Sequence, residues 1–515
     1  MRLGIDFGTT RTVVAGLEDG NYPVCTFSWQ GELKEYIPTL VAARDGALFF
    51  GWDAAHCLDQ PDALILRSMK RLAADLRPDD PVDLGPDFSI PMLELVTLFL
   101  HHVKRMITLY GNLTVDKGNK IEVMVATPAN ANSNQRYITL EAFRMAGFSV
   151  LGAMNEPSAA AVEYNHRYLR SLGPRSPKKY VVVYDLGGGT FDTSVVGLAG
   201  QTHEVIANEG IPRLGGDDFD EVILDMLLEG IGRPRGDLNQ NETVRLLEEC
   251  RERKEGLKPN TKKMVVDPST VLPGEEPLVV ETQFVYDRCE PLIQRSLAAV
   301  ESLIRTAFER GLDPDESRGL AALYLVGGSV SFPPVARALR EAYPNKVKTS
   351  PFPHAATAIG LAIAADPRAL IRVRESVSRY FGVWREQGKD KVFDPIFFKD
   401  REVDPQTGTL RVIRRYRPVH NIGHLRFLEC SHLSEGGAPE GDIALWKEVY
   451  FPYDPELRDR KNLARTPVQV RPDLSTQEVV EIYDYHAQGG LIQVCIENQT
   501  AGYERTFSFS PDGAR

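Results

Sequence analysis

Cysteine is scarce in this chain of 515 residues, with six in all, at 25, 57, 250, 289, 430 and 495. There is no CxxC pair and no His/Cys cluster of metal-ligating size, so structural zinc is not expected. Free thiols in a reducing compartment are the expectation. Long apolar runs are missing too, so no segment approaches the length of a membrane-spanning helix. The first strand-like run begins almost at Met1, so the expectation is a cytoplasmic chain without a signal peptide. Positive charge is in deficit: 60 Lys and Arg against 71 Asp and Glu leave a net charge of −11. That balance argues against a general binder of nucleic acid or of anionic membranes. The remaining composition is that of a globular chain, and the length predicts several domains.

What the chain has instead is one device written twice. Leu3-Gly4-Ile5-Asp6-Phe7-Gly8-Thr9-Thr10 stands at the N-terminus, and Val181-Val182-Val183-Tyr184-Asp185-Leu186-Gly187-Gly188-Gly189-Thr190 stands near residue 185. Each is an apolar run, an Asp, an apolar residue, a glycine turn and a Thr. A second β-like run follows, from Thr12 to Leu17 and from Thr193 to Leu198. The pattern predicts strand, turn, strand in both places. Glycine permits a tight turn whose N–H groups converge on phosphate. The Asp at the strand end can hold a metal ion, directly or through water. Two such hairpins facing each other would grip a polyphosphate from both sides. The plainer reading of Asp6 and Asp185 is that each caps its own turn.

Apolar residues Leu93, Val96, Phe99, Leu100, Val103, Ile107 and Tyr110 recur at helical spacing and predict an amphipathic helix over 89–111. A strand at 121–127 ends at Pro128, and a helix over 134–146, a strand at 148–151 and a helix from Glu156 follow. Gly173 to Lys179 is read as a loop between the two halves. Gly215-Gly216-Asp217-Asp218 opens a helix, with the acids in the first turn that the helix dipole prefers. Helices at 242–257 and 288–311 flank two strands, a strand at 321–326 ends in Gly327-Gly328, and a last helix spans 355–365. Alternating strands and helices predict a layered α/β architecture. After Asp366-Pro367 the helical periodicity fades. Short β-like runs at 410–413, 424–427, 478–483 and 491–496 alternate with turns such as Gly489-Gly490, predicting a separate all-β domain.

Five motifs in order carry a resemblance. They are Ile5-Asp6-Phe7-Gly8-Thr9-Thr10, Asn155-Glu156-Pro157-Ser158-Ala159-Ala160-Ala161, Asp185-Leu186-Gly187-Gly188-Gly189-Thr190-Phe191-Asp192, Leu214-Gly215-Gly216-Asp217-Asp218-Phe219-Asp220 and Leu325-Val326-Gly327-Gly328. With them the first 365 residues resemble the nucleotide-binding domain of the seventy-kilodalton heat-shock chaperones of DnaK type, in the actin-like ATPase superfamily. The resemblance implies a two-lobed actin-like (ribonuclease-H-like) α/β ATPase domain over 1–367, with one lobe at 1–172 plus 355–367 and the other at 180–354. It implies a linker at 368–375 and a β-sandwich substrate-binding-like domain over 376–515. ATP or ADP, Mg²⁺ and K⁺ are the implied cofactors.

Phosphoryl transfer to water needs charge neutralisation, a held metal and a positioned water. By resemblance, Asp6 and Asp185 hold the metal shell, and Lys70 reaches the phosphates and the attacking water. Glu156 and Asp192 match acidic positions near the metal, its waters and monovalent cations, and Thr190 matches a threonine at the γ-phosphate. Gly8, Thr9, Thr10, Gly187, Gly188 and Gly189 supply phosphate donors. Gly215, Gly216, Gly327 and Gly328 give flat backbone against base and ribose, and Lys254 matches a lysine that contacts the nucleoside. Read without the resemblance, Lys70 is a solvated surface charge and Glu156 a first-turn helix residue. Pro128 and Arg136 match a proline switch and its arginine relay; the plainer reading of Pro128 is a strand terminator.

The adenosine side departs from the family pattern. Arg251 and Lys258 stand where Glu and Ser are usual, Ser331 where an adenine-stacking Arg is usual, and His354 where Asp is usual. Ser378 to Val383 is similar to the segment that opens the family's peptide-binding sandwich, and Val479 to Gly502 to its closing strands. The family's leucine-rich linker is here Leu370-Ile371-Arg372-Val373-Arg374-Glu375. The chain stops at Arg515, so no helical lid and no acidic tail are expected. Extended polypeptide clients, a J-domain cochaperone and a nucleotide-exchange factor are the implied partners, with no nucleic acid and no membrane. Two rivals stand beside this chaperone-like ATPase: a non-cycling nucleotide-bound module of the same family, and another actin-like class such as a sugar kinase or a filament protein.

Overall fold

The computed structural model describes residues 1–60, 62–85, 88–113, 120–168, 179–199, 202–309, 319–369, 372–374, 377, 379–387, 390–399, 401, 403–404, 407–486 and 491–509. The chain is mixed α/β and divides into two compact units. One comprises Met1–Ala129 and Ile138–Val373, the other Asn130–Tyr137 and Arg374–Arg515.

The first unit contains the same sheet built twice. One sheet runs in the order Ser149–Asn155, Glu122–Thr127, Arg2–Phe7, Arg11–Gly16, Ile37–Pro38. The other runs Val347–Thr349, Leu320–Val326, Tyr180–Leu186, Phe191–Ala199, Thr202–Ile211, Arg372–Arg374. In each, the first strand of the glycine hairpin pairs antiparallel with its second strand and parallel with a later strand, which pairs parallel with the outermost one. After each outermost strand comes an alanine-rich helix, Glu156–Tyr168 in the first copy and Ala356–Ala365 in the second. Parallel strands buried on both faces read as continuous apolar runs, as Tyr180-Val181-Val182-Val183-Tyr184 does.

The two alanine-rich helices meet almost without side chains between them. A Cβ on Gly360 would lie 1.8 Å from the Ala159 carbonyl oxygen, and one on Gly4 would lie 2.2 Å from that of Ala358. Ala356–Ala365 is buried on nearly every side, the behaviour of a helix that is apolar all round.

The second unit holds two four-stranded antiparallel sheets. One runs Asp390–Phe397, Tyr380–Gln387, Ile422–Leu433, Pro439–Pro452, and the other Thr409–Tyr416, Val479–His486, Leu491–Asn498, Tyr503–Phe509. Phe381, Phe427, Phe451 and Tyr483 are central to the core of this unit.

The sequence pattern found the long helices and the buried strands within a few residues. It passed over Pro439–Pro452, where glycine and mixed charge break the alternation and two register shifts interrupt pairing with Ile422–Leu433. It also passed over the short helices Met69–Asp75 and Pro333–Ala342. Within the expected linker, Arg372–Arg374 is a strand at the edge of the six-stranded sheet. Residues 370, 371 and 375 of that linker, Gly173–Lys178 of the expected loop, Ser378 and the Gly489-Gly490 turn lie outside the described residues.

Candidate functional site

The two glycine turns close in the same way. The Gly8 N–H donates to the Arg11 carbonyl at 3.1 Å, and the Gly187 N–H donates to that of Thr190 at 3.0 Å. In the register, Asp6 lies opposite Val13 and Asp185 opposite Asp192. The turns then pack on each other. A Cβ on Gly188 would lie 2.5 Å from the Thr10 methyl carbon, and one on Gly189 would lie 2.6 Å from that of Thr9. Only glycine permits this approach, so here the glycines serve contact between turns as well as backbone freedom.

The cleft beside these turns is lined by Asp6, Gly8, Thr9, Thr10, Lys70, Glu156, Asp185, Gly187, Gly188 and Thr190, and further along by Gly216, Lys254, Gly327 and Gly328. Asp192, Gly189 and Gly215 are not among the lining residues and stand one layer behind it. A Cβ on Gly215 would lie 2.6 Å from the Gly188 carbonyl oxygen. Gly327 takes φ of +88°, and a Cβ there would lie 2.3 Å from the Leu186 carbonyl oxygen and 2.6 Å from Asp185 Oδ1. The space inside is about 90 Å³, well below the roughly 300 Å³ at which pockets for drug-sized ligands begin.

Lys70 is buried on the short helix Met69–Asp75 and donates from Nζ to Glu156 Oε1. Burial alone would depress its ammonium, but Glu156 first and then Asp6 hold its pKa above the ordinary value. The carboxylates show the opposite strain. Burial pushes Asp6 up to about 7 against the pull of Lys70, and burial with the charge of Glu156 pushes Asp192 up to about 7. Asp185 is raised too, by burial and then by Glu156, Asp6 and Asp192. The Thr190 hydroxyl and the Ala129 N–H donate to Asp192 and oppose its shift.

Four acids around one lysine are a site short of positive charge. Asp6 Oδ1 is buried with no hydrogen-bond partner among the described residues. These features fit a divalent cation. No three His, Cys, Asp or Glu side chains among the described residues converge closely enough to ligate one directly. A fit therefore means Mg²⁺ held by Asp6 and Asp185 mainly through water and phosphate oxygens, as Mg²⁺ is commonly bound.

A set of contacts fixes the cleft walls, and Ser68, Arg71 and Ser329 among its members were not singled out for the site by the sequence pattern. Arg71 donates from Nε to the Gly189 carbonyl at 2.8 Å and pairs with Asp218 at 2.5 Å, tying a short helix to a phosphate turn. Ser68 donates to Asp217 at 2.5 Å, and Ser329 donates to the Gly187 carbonyl at 2.8 Å. Buried Lys254 lies 2.6 Å from both the Gly216 carbonyl and Asp220 Oδ1. The nearest sequence signal was Asp217-Asp218, read as a first-turn preference and as part of the motif from Leu214 to Asp220.

On the adenosine side, Arg251 lines the cleft and pairs with Glu248 at 2.5 Å, while Ser331 donates to the Gly328 carbonyl at 2.7 Å. His354 lies 3.1 Å from Glu35. Lys258 is exposed and not among the lining residues. Arg11, unremarked in the sequence, adds a second guanidinium to this wall. It sits 4.5 Å from the Tyr36 ring centroid and pairs with Glu255 at 2.5 Å, joining the first hairpin to the end of helix Gln240–Glu255. Pro128 follows the strand Glu122–Thr127 in the first unit. Arg136 is buried in the second unit, its Nη1 3.5 Å from the Tyr485 hydroxyl.

The first unit is thus a duplicated sheet whose paired glycine turns frame buried acids and a lysine. The sequence model of the family described as "Hsp70 protein" matches residues 94–373, more than half of the chain. The "Chaperone protein DnaK" of Mycoplasmopsis agalactiae is 31% identical over 373 residues, covering 70% of this chain and 58% of that protein. The chain belongs to the Hsp70 family of chaperones, whose members are ATPases that bind ATP or ADP with Mg²⁺. It aligns with little more than half the length of that relative. No helix among the described residues is long and apolar enough to cross a membrane, and the described cysteines are all free.

Proposed function

We propose that this protein is a cytoplasmic chaperone that hydrolyses ATP between two lobes and uses the hydrolysis to regulate how residues 376–515 hold extended polypeptide segments. The observation that carries the ATPase reading is the four-acid cluster around Lys70, with Asp6 Oδ1 left unpaired at its centre. The N–H groups of the two glycine turns take up phosphate oxygens, and Thr9, Thr10 and Thr190 add hydroxyls. Mg²⁺, when bound, neutralises charge that develops on the phosphates. Lys70 holds the attacking water and stays protonated. Glu156 fixes the Lys70 ammonium, and Asp192 accepts hydrogen bonds that keep Thr190 in place. Lys254 and Gly216 shape the nucleoside wall, and K⁺ shares the acidic cluster. J-domain and nucleotide-exchange partners follow from the family alone.

Single-turnover hydrolysis of ATP with and without Mg²⁺ tests the first half of this reading. Release of a fluorescent apolar peptide in ADP and in ATP tests the second. No hydrolysis in either condition sinks the ATPase reading, and release rates indifferent to nucleotide sink the coupling. One observation favours a non-cycling module instead: on the nucleoside wall Arg251 and Arg11 are both engaged by glutamates, Glu248 and Glu255. Tight nucleotide binding without turnover would select that reading.

A further inference from the structure

The chain is acidic overall, yet the groove of its second unit is basic. A cleft of about 810 Å³ opens among strands Tyr380–Gln387, Asp390–Phe397, Thr409–Tyr416 and Ile422–Leu433, and no Asp or Glu is among its lining residues. Six of those residues are Lys or Arg. Four of them are compensated from outside the lining. Arg385 pairs with Asp394 at 2.7 Å and Glu481 at 2.6 Å, Arg414 with Asp394 at 3.3 Å, Arg415 with Glu478 at 3.8 Å and Arg426 with Glu448 at 3.3 Å. Lys391 and Arg417 are exposed and are in no ion pair with a described side chain, although Glu386 is the residue opposite Lys391 in the strand register.

The floor is rigid and the rim is apolar. Buried Glu481 accepts hydrogen bonds from Arg385, from Tyr416 at 2.6 Å and from Tyr483 at 2.6 Å, and Tyr416 meets the Tyr453 hydroxyl at 2.6 Å. A buried network satisfied this fully holds its members in place. Val419 and Val468 line the groove and reach its rim 44% and 47% exposed. Two of the contributing strands, Asp390–Phe397 and Thr409–Tyr416, are edge strands of their sheets. Each leaves one side of its backbone unpaired within its sheet, a template on which an extended chain can add hydrogen bonds.

We propose that this groove takes an extended peptide whose apolar centre is flanked by Asp or Glu, the carboxylates meeting Lys391 and Arg417 and the apolar side chains meeting Val419, Val468 and Trp384. The proposal rests on the client-binding reading above and adds the charge class of the client. Charge complementarity selects the sign, and the free strand edges select an extended occupant.

The test uses the full-length protein and three fluorescein-labelled peptides sharing one leucine-rich centre, flanked by Asp/Glu, by Ser/Gly or by Lys. Anisotropy at low salt should rank the acidic peptide roughly tenfold tighter than the neutral one, with the difference shrinking as salt rises. Lys391→Glu with Arg417→Glu should erase that preference and leave the neutral peptide's affinity unchanged, while Lys461→Glu, outside the groove, should change neither. Equal binding of acidic and neutral peptides, or a preference that survives the double variant, overturns the charge class and leaves client binding standing. Failure of all three peptides to bind overturns the client reading itself. Displacement of the acidic peptide by polyuridylate, lost in the double variant, would reassign the groove to nucleic acid and overturn the proposal.

Discussion

Asp185 stands directly opposite Asp192 across the second hairpin, and both carboxylates are buried. Burial and the neighbouring acids raise the pKa of both, because two ionised carboxylates directly opposed on a sheet are destabilising, more so out of water. The hairpin is therefore less stable than its sequence could make it. Asp192→Asn should stabilise the nucleotide-free protein by up to about 1 kcal/mol, seen as a higher melting temperature, and should lower ATP turnover. Calorimetry beside a steady-state ATPase assay checks both. A variant that is neither more stable nor slower would remove the strain argument.

Lys70→Ala separates binding from chemistry. Nucleotide affinity should change little, while turnover falls about 10²-fold or more. Removing the lysine also leaves Glu156 without its partner inside an acidic cluster, which should cost on the order of 3 kcal/mol of stability. Unchanged turnover in a folded variant would take Lys70 out of the mechanism.

Arg11 and Glu255 join two walls of the cleft; on the proposed function, their pair has to yield when nucleotide passes between them. Arg11→Ala and Glu255→Ala should each speed ADP release a few-fold, and the double variant should release no faster than either single one. The coupling should be about 0.5–1 kcal/mol, because Glu255 is well exposed. Stopped-flow release rates in a double-mutant cycle measure it, and additive effects would show that the pair plays no joint role.

His102 gives the fold a pH dependence away from the cleft. Its imidazole is buried, its Nε2 has no hydrogen-bond partner among the described residues, and its ring lies 5.9 Å from that of Phe50. Burial, then the charge of Arg105, lowers its pKa from 6.5 to about 4. The unfolded chain binds the proton that the folded chain refuses, so this contribution is intact above pH 6.5 and is lost as the pH falls toward 4. The loss should reach roughly 3 kcal/mol. Relative to His102→Phe, the unaltered protein should lose stability over that window; parallel pH profiles of the two would refute the assignment.

What could be read from the sequence was local. Asp6, Asp185 and their glycine turns announce themselves because strand, turn and acid occur within a few consecutive residues. The topology of the duplicated sheets was only partly legible, because parallel pairing joins strands as far apart as Leu320 and Tyr180. Arg11, Ser68 and Arg71 were silent for a different reason. Their roles depend on partners more than a hundred residues away, Glu255, Asp217 and Asp218, and an isolated Arg or Ser has no spacing to betray it. The basic groove escaped because its cations come from four strands, each of which also carries acids or apolar residues.

The seam between helices Glu156–Tyr168 and Ala356–Ala365 contains little but backbone and methyl groups. A seam of that kind sets the spacing of the two helices by backbone contact rather than by interlocking side chains. It leaves no slack: with 1.8 Å between a new Cβ at Gly360 and the Ala159 oxygen, a single added methyl group would force the two helices apart.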